Sequence, residues 1–157
     1  MLKKILDRAT CKNCRVCCVF NRDDIWELPL LTKSDLTNIE KHYNGDYIKR
    51  GNCYVFDVDF DSNGLAYCPM LTENGCILGD NKPFDCKIWP FRVNDLNGTL
   101  VITLSPVCEA VSALPLDKLT DFVNSDRFAE KLFSEAANNP DMVKPYIKGY
   151  PILAAKL

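Results

Sequence analysis

Nine cysteines and a single histidine, His42, stand in 157 residues. Four of the cysteines crowd into the box Cys11-Lys12-Asn13-Cys14-Arg15-Val16-Cys17-Cys18. Their thiolates are soft donors, the type that suits zinc and iron–sulfur clusters. The three-residue steps from Cys11 to Cys14 to Cys17 let a tight loop present several thiolates to one centre, and ferredoxin cluster loops use the same step. Cys17 and Cys18 are adjacent. In an extended segment their side chains point to opposite faces, which predicts different roles: two metal centres, or one ligand and one core thiol. With His42 as the only imidazole, one chain cannot build a two-histidine zinc site or a two-histidine-one-carboxylate iron site.

Four further cysteines sit at turn signals. Cys68 precedes Pro69, Cys76 follows Asn74-Gly75, Cys86 lies three residues after Pro83, and Cys108 follows Ser105-Pro106-Val107. Rigid turns suit metal ligands because they help shape a site around the ion. Against this, an isolated cysteine is commonly a small buried hydrophobe; a box of four in eight residues is poor core material. Cys53, alone between Asn52 and Tyr54 at the mouth of a strand, is assigned to the core. Structural zinc often uses two C-x2-C pairs far apart, and the second half of the chain has no such pair. The spacing therefore favours an iron–sulfur cluster, four-iron four-sulfur in type, with zinc as the alternative. A single cluster would draw on the box and on Cys68, Cys76 and Cys86; eight thiols also suffice for two four-cysteine centres.

The elements that must position these residues read as α+β. Leu2, Ile5 and Leu6 predict a short amphipathic helix over residues 1–9. Thr32 with Asp35 predicts a helix start, the helix running over 33–43 and closing at Asn44-Gly45. Alternation from Tyr54 to Phe60 predicts a strand, returning at Leu65–Tyr67 through the Asp61–Gly64 turn to make a hairpin. Pro83 opens a helical turn to Lys87. Ile88–Val93 and Thr99–Leu104 form a second hairpin, whose first strand Pro90 would push to an edge. Leu119, Phe122 and Val123, then Phe128, Leu132 and Phe133, predict two helices ended by Asn139-Pro140. The expectation is one metal-stapled domain over residues 1–157, with its cysteine motifs in 11–108 and a C-terminal helical wrap over 115–157.

Composition narrows the setting. The net charge is −2, which argues against a nucleic-acid footprint. No apolar run approaches the ~18 residues of a membrane span. The opening MLKKILDRAT lacks the apolar region of a signal peptide. The expected compartment is the reducing cytoplasm, where clustered cysteines bind metal or do redox work.

Taken together, Cys11-x-x-Cys14-x-x-Cys17-Cys18, Leu31-Thr32-Lys33-Ser34-Asp35, Cys68-x-x-Leu71, Gly75-Cys76-Ile77 and Lys82-Pro83-x-x-Cys86-x-x-x-Pro90-Phe91 resemble the CxxCxxCC-box (YkgJ-like) family of zinc- or iron-chelating proteins, over residues 8–112. The resemblance implies a chelating set of Cys11, Cys14, Cys17, Cys18, Cys68, Cys76, Cys86 and Cys108, and it leaves Cys53 out. Asn13 and Val16 stand where relatives often carry glycine, Leu78 replaces a tyrosine, and Lys82 replaces an arginine. A similar box occurs in flagellin lysine methylases, but this chain shows no extra region for methyl transfer.

Three functions follow as expectations. The first is an iron–sulfur protein with an electron-transfer, redox or metal-handling role. The second is a cluster-dependent enzyme acting on a small molecule or a protein side chain, with no catalytic residue assignable. The third is a structural zinc domain that docks a partner. Weaker signals are set aside. Trp26, Trp89, Tyr43 and Tyr54 read as core aromatics. Asp59-x-Asp61-x-Asn63-Gly64 lacks the twelfth-position glutamate of a calcium loop, where Met70 stands. His42 reads as a surface residue late in a helix.

Overall fold

Asp7 starts the first regular helix. Its carboxylate accepts the Thr10 amide at 2.8 Å, capping α1, Arg8–Cys14. The helix expected over residues 1–9 is thus displaced, because a capping carboxylate belongs before a helix rather than within one. Residues 1–5 hold only a single turn, closed by Ile5 N–H to the Leu2 carbonyl. The computed structural model describes all of residues 1–157. The chain forms two compact units, one of Leu6–Lys87 and one of Met1–Ile5 with Ile88–Leu157. The class is α+β, built from small sheets and several helices. No helix is long and apolar enough to cross a membrane.

In the Leu6–Lys87 unit a 3-10 turn, Val16–Cys18, follows α1 and leads into β1, Val19–Asn21. A longer 3-10 segment, Arg22–Glu27, follows. Helix α2, Lys33–Ile39, carries the expected capping box: the Asp35 amide donates to Thr32 Oγ1, and the Thr32 amide donates to the Asp35 carboxylate at 2.8 Å. Thr32→Ala should remove about 1 kcal/mol of stability, read as a lower urea midpoint and restored by Ser. The helix stops at Ile39, short of Tyr43. Gly45 serves a close approach instead of a helix end, since a Cβ there would collide with the Tyr43 ring.

The hairpin expected between Tyr54–Phe60 and Leu65–Tyr67 does not form. Strand β2, Tyr47–Arg50, pairs with β3, Cys53–Phe56, while β4, Leu65–Tyr67, pairs antiparallel with β1. Regular pairing ends at Phe56, because Val55 and Phe56 are both buried and the strict alternation is broken there. The Asp61–Gly64 turn does form, with Asp61 Oδ1 accepting the Asn63 and Leu65 amides. Strands β5, Leu71–Thr72, and β6, Gly75–Cys76, make a minimal hairpin in which Gly75 takes φ +94°. Leu31, Ile39, Phe56, Met70 and Leu78 form the unit's core, with Cys68 and Cys76 packed against its edge. Helix α3, Phe84–Ile88, opens after Pro83 as expected.

In the other unit β7, Phe91–Leu96, and β8, Thr99–Leu104, form the expected hairpin, starting at Phe91 because Ile88 ends α3. Pro90 precedes β7 rather than standing in it, and β7 is not an edge because β8 and β9 pair on its two sides. The sheet runs β10-β8-β7-β9, with β9, Lys144–Pro145, and β10, Ile152–Ala155, drawn from the tail expected to be helical. The Asn94 amide holds β9 by donating to the Lys144 and Pro145 carbonyls at 3.2 and 3.0 Å. A short helix α4, Glu109–Ser112, precedes α5, Leu116–Asn124, and α6, Phe128–Asn138. These last two bury the expected residues Leu119, Phe122, Val123, Phe128 and Leu132; Phe133 is only half-buried.

Candidate thiolate centre

Cys11 and Cys14 lie on α1, three residues apart on neighbouring turns. The helix ends where Arg15 enters the left-handed region at φ 56° and donates its amide to the Cys11 carbonyl at 3.1 Å. That reversal starts the 3-10 turn, closed by the Cys18 amide donating to the Arg15 carbonyl at 2.9 Å. The box is therefore a helix joined to a 3-10 turn, where a continuous tight loop was expected. The turn also corrects the expectation for the adjacent pair. The segment is not extended, and the Cys17 and Cys18 sulfurs lie 3.9 Å apart in hydrogen-bond contact.

Two sets of contacts bring the later cysteines to the box. The Arg15 guanidinium donates to the Lys12 carbonyl at 3.0 Å and to the Glu73 carbonyl at 2.8 Å. Lys12 Nζ donates to Asn74 Oδ1 at 3.3 Å. These straps hold α1 on the β5–β6 hairpin that carries Cys76. The Cys68 amide donates to the Cys18 carbonyl at 2.8 Å, which extends the β1–β4 ladder by one step and sets Cys68 beside Cys18. Cys86 is placed by α3, and its neighbour Asp85 accepts the Leu30 amide at 3.0 Å.

The thiols feel one another. Burial raises Cys86 well above the ordinary thiol range; the Asp85 charge adds to this, followed by Cys68, Cys17 and Cys76. Burial likewise pushes Cys68 from 9.0 to about 11, with Cys76 and Cys17 contributing. Cys17 is raised by its hydrogen bond to Cys18 and by burial, while the nearby Lys82 ammonium pulls it down. At neutral pH these three groups are neutral thiols in the metal-free protein. Each is an acid whose pKa is raised on folding, so its contribution to stability is complete below pH 9 and is lost as pH rises. The urea midpoint of reduced, metal-free protein should hold to about pH 8 and fall between pH 9 and about 11. A flat profile over that window would contradict the burial of Cys68 and Cys86.

Seven of the eight expected ligands, Cys11, Cys14, Cys17, Cys18, Cys68, Cys76 and Cys86, lie in the Leu6–Lys87 unit. Cys108 lies in the other unit, buried at the start of α4. Cys53 is buried in β3, as its assignment to the core requires. The donor type fits a soft metal, but nowhere do three or more Cys, His, Asp or Glu side chains converge closely enough to hold an ion. Sequence reasoning missed Arg15 and Lys82 as positioning and charge-bearing residues. The only signals were that Arg15 sits inside the box and that Lys82 stands where the resemblance has an arginine. His42 is exposed in the chain that follows α2.

Comparison with protein-family models, with curated proteins and with solved structures returns no match to this chain. What defines it is its own architecture: an α+β chain with a cysteine-rich unit.

Proposed function

We propose that the Leu6–Lys87 unit is a cysteine-thiolate centre that takes up an iron–sulfur cluster and serves a redox, electron-transfer or metal-handling role. The observation that carries this reading is the meeting of four separate chain segments. The box, the Cys68 turn, the β5–β6 hairpin and α3 bring Cys17, Cys68, Cys76 and Cys86 into one another's electrostatic field. The three-residue steps of Cys11, Cys14 and Cys17 support a cluster as the cargo, and the resemblance to the CxxCxxCC-box family of zinc- or iron-chelating proteins supports a metal centre. The side chains do not converge closely enough to hold an ion, so binding the cargo would draw them together and its binding free energy would be folding free energy.

A specific distance favours a second reading, a single zinc ion. With Zn–S bonds of about 2.3 Å, two thiolates on one tetrahedral ion stand about 3.8 Å apart. Cys17 and Cys18 stand 3.9 Å apart. Anaerobic purification with iron, zinc and sulfide measured together decides between them. Iron and sulfide in equal amounts, with charge-transfer colour, support the cluster. Stoichiometric zinc without sulfide selects the second reading. Protein with neither, even after reconstitution with each, overturns the centre.

A further inference from the structure

The fold brings the sulfurs of Cys17 and Cys18 into contact. Their sulfurs are 3.9 Å apart. Cys17 is exposed, and Val16 beside it is 38 % exposed, so the pair is open to small solutes. Its backbone is fixed on both sides: the Cys18 amide donates to the Arg15 carbonyl at 2.9 Å, and the Cys18 carbonyl accepts the Cys68 amide at 2.8 Å. Pinning both peptide groups lowers the entropy lost when the two thiols are drawn onto one atom. No third metal-ligating side chain converges with them. The preformed arrangement therefore suits a thiophilic centre that needs two sulfurs and keeps its remaining position for a group of its own.

We propose that Cys17 and Cys18 form a two-thiol chelate for trivalent arsenic compounds, of the class R–As(OH)2. The step is a double ligand exchange. Each thiol gives its proton to a departing hydroxide and its sulfur to arsenic. Two As–O bonds break, two As–S bonds form and two waters leave, so R–As(OH)2 and the dithiol yield R–As(S–Cys)2. Arsenic stays trivalent and no oxidant or reductant takes part. Ring closure through adjacent residues makes the second bond intramolecular, which separates this pair from a lone exposed thiol such as Cys14. The site shares its sulfurs with the proposed centre and rests on the same unit, but it requires no metal to be held there.

The test uses full-length, reduced, metal-free protein with one equivalent of phenylarsine oxide, followed by excess glutathione and then by dithiothreitol. Intact mass should show one phenylarsenic group per chain, retained against the monothiol and released by the dithiol. Peptide mapping should place it across Cys17 and Cys18. Cys17→Ser and Cys18→Ser should each weaken retention by about 10²-fold, the chelate advantage lost. Cys53→Ser should retain the adduct. Far-UV circular dichroism checks the variants, and if either serine protein fails to fold, the map of the wild-type adduct decides. Release by glutathione, or an adduct mapped to Cys11–Cys14 or any other pair, overturns the proposal. Iron, zinc and sulfide in the as-purified protein are measured on separate samples. A protein that takes up metal but, once stripped of it, retains no arsenic sinks only this inference, and arsenic retention in a protein that takes no metal sinks only the centre.

Discussion

On the proposed centre, Cys86→Ser should abolish metal binding, while Cys53→Ser should leave the metal content at the wild-type value. Both residues are single cysteines on regular elements, so the contrast isolates neighbourhood from residue type. Cys86 lies on α3 in the field of Cys68, Cys17 and Cys76. A serine hydroxyl there is a harder donor that stays protonated at neutral pH, so the soft set loses a member. Cys53 lies in β3 with 1 % of its surface exposed. A buried hydroxyl costs more to desolvate than a thiol and should lower stability, seen as a lower melting temperature at unchanged metal content. Cys14→Ser should follow Cys86→Ser, with loss of metal and of solubility. Metal per chain, measured after anaerobic purification of each variant, is the readout. Equal loss at Cys53 and Cys86 would overturn the division between ligand and core cysteines.

Phe91→Ala should remove about 3–5 kcal/mol of stability. Phe91 is fully buried at the start of β7. Its ring centroid lies 5.7 Å from that of Phe122 on α5 and 5.3 Å from that of Phe128 on α6. Those two rings are themselves 4.8 Å apart, so the three aromatics fasten both helices to the hairpin. Removing the central ring leaves a cavity lined by two others, and neither can collapse into it without shifting its helix. Total stabilities of about 5–15 kcal/mol make this a large fraction of what holds the protein. Phe91→Leu, closer in volume, leaves a smaller cavity and should lose less than Phe91→Ala. Urea unfolding of the two variants tests the ordering; equal midpoints would show that the aromatic cluster is not a core.

The elements legible in the sequence are those fixed by neighbours in the chain. Thr32 and Asp35 cap α2 reciprocally. Asn97 and Gly98 turn β7 back onto β8, with the Gly98 amide donating to Asp95 at 2.6 Å. The helices α5 and α6 follow their apolar spacing. The misread elements depend on partners far away in sequence. Strand β4 was expected against Tyr54–Phe60 because the turn between them is strong, yet it pairs with Val19–Asn21, a three-residue strand with no periodic signal. Strand β9, ending at Pro145, and strand β10, following Pro151, are short segments that become strands only because β7 and β8 offer edges to pair with. Helix α1 was missed for a local reason: the Asp7 cap outweighed the apolar spacing of Leu2, Ile5 and Leu6.

The same division holds at the thiols. Donor chemistry was fixed by residue type: a sulfur ligand is a covalent property of cysteine, and one exposed histidine leaves no imidazole alternative. Which sulfurs meet was decided only by tertiary structure. The 3-10 turn after Arg15 puts Cys17 and Cys18 side by side, where an extended strand would have parted them. The step beyond the β1–β4 ladder sets Cys68 beside Cys18, and the Arg15 and Lys12 straps bring the Cys76 hairpin to α1. Each of these contacts joins segments whose local sequences carry no sign of the other, because pairing between distant strands is selected by the packing of the whole unit.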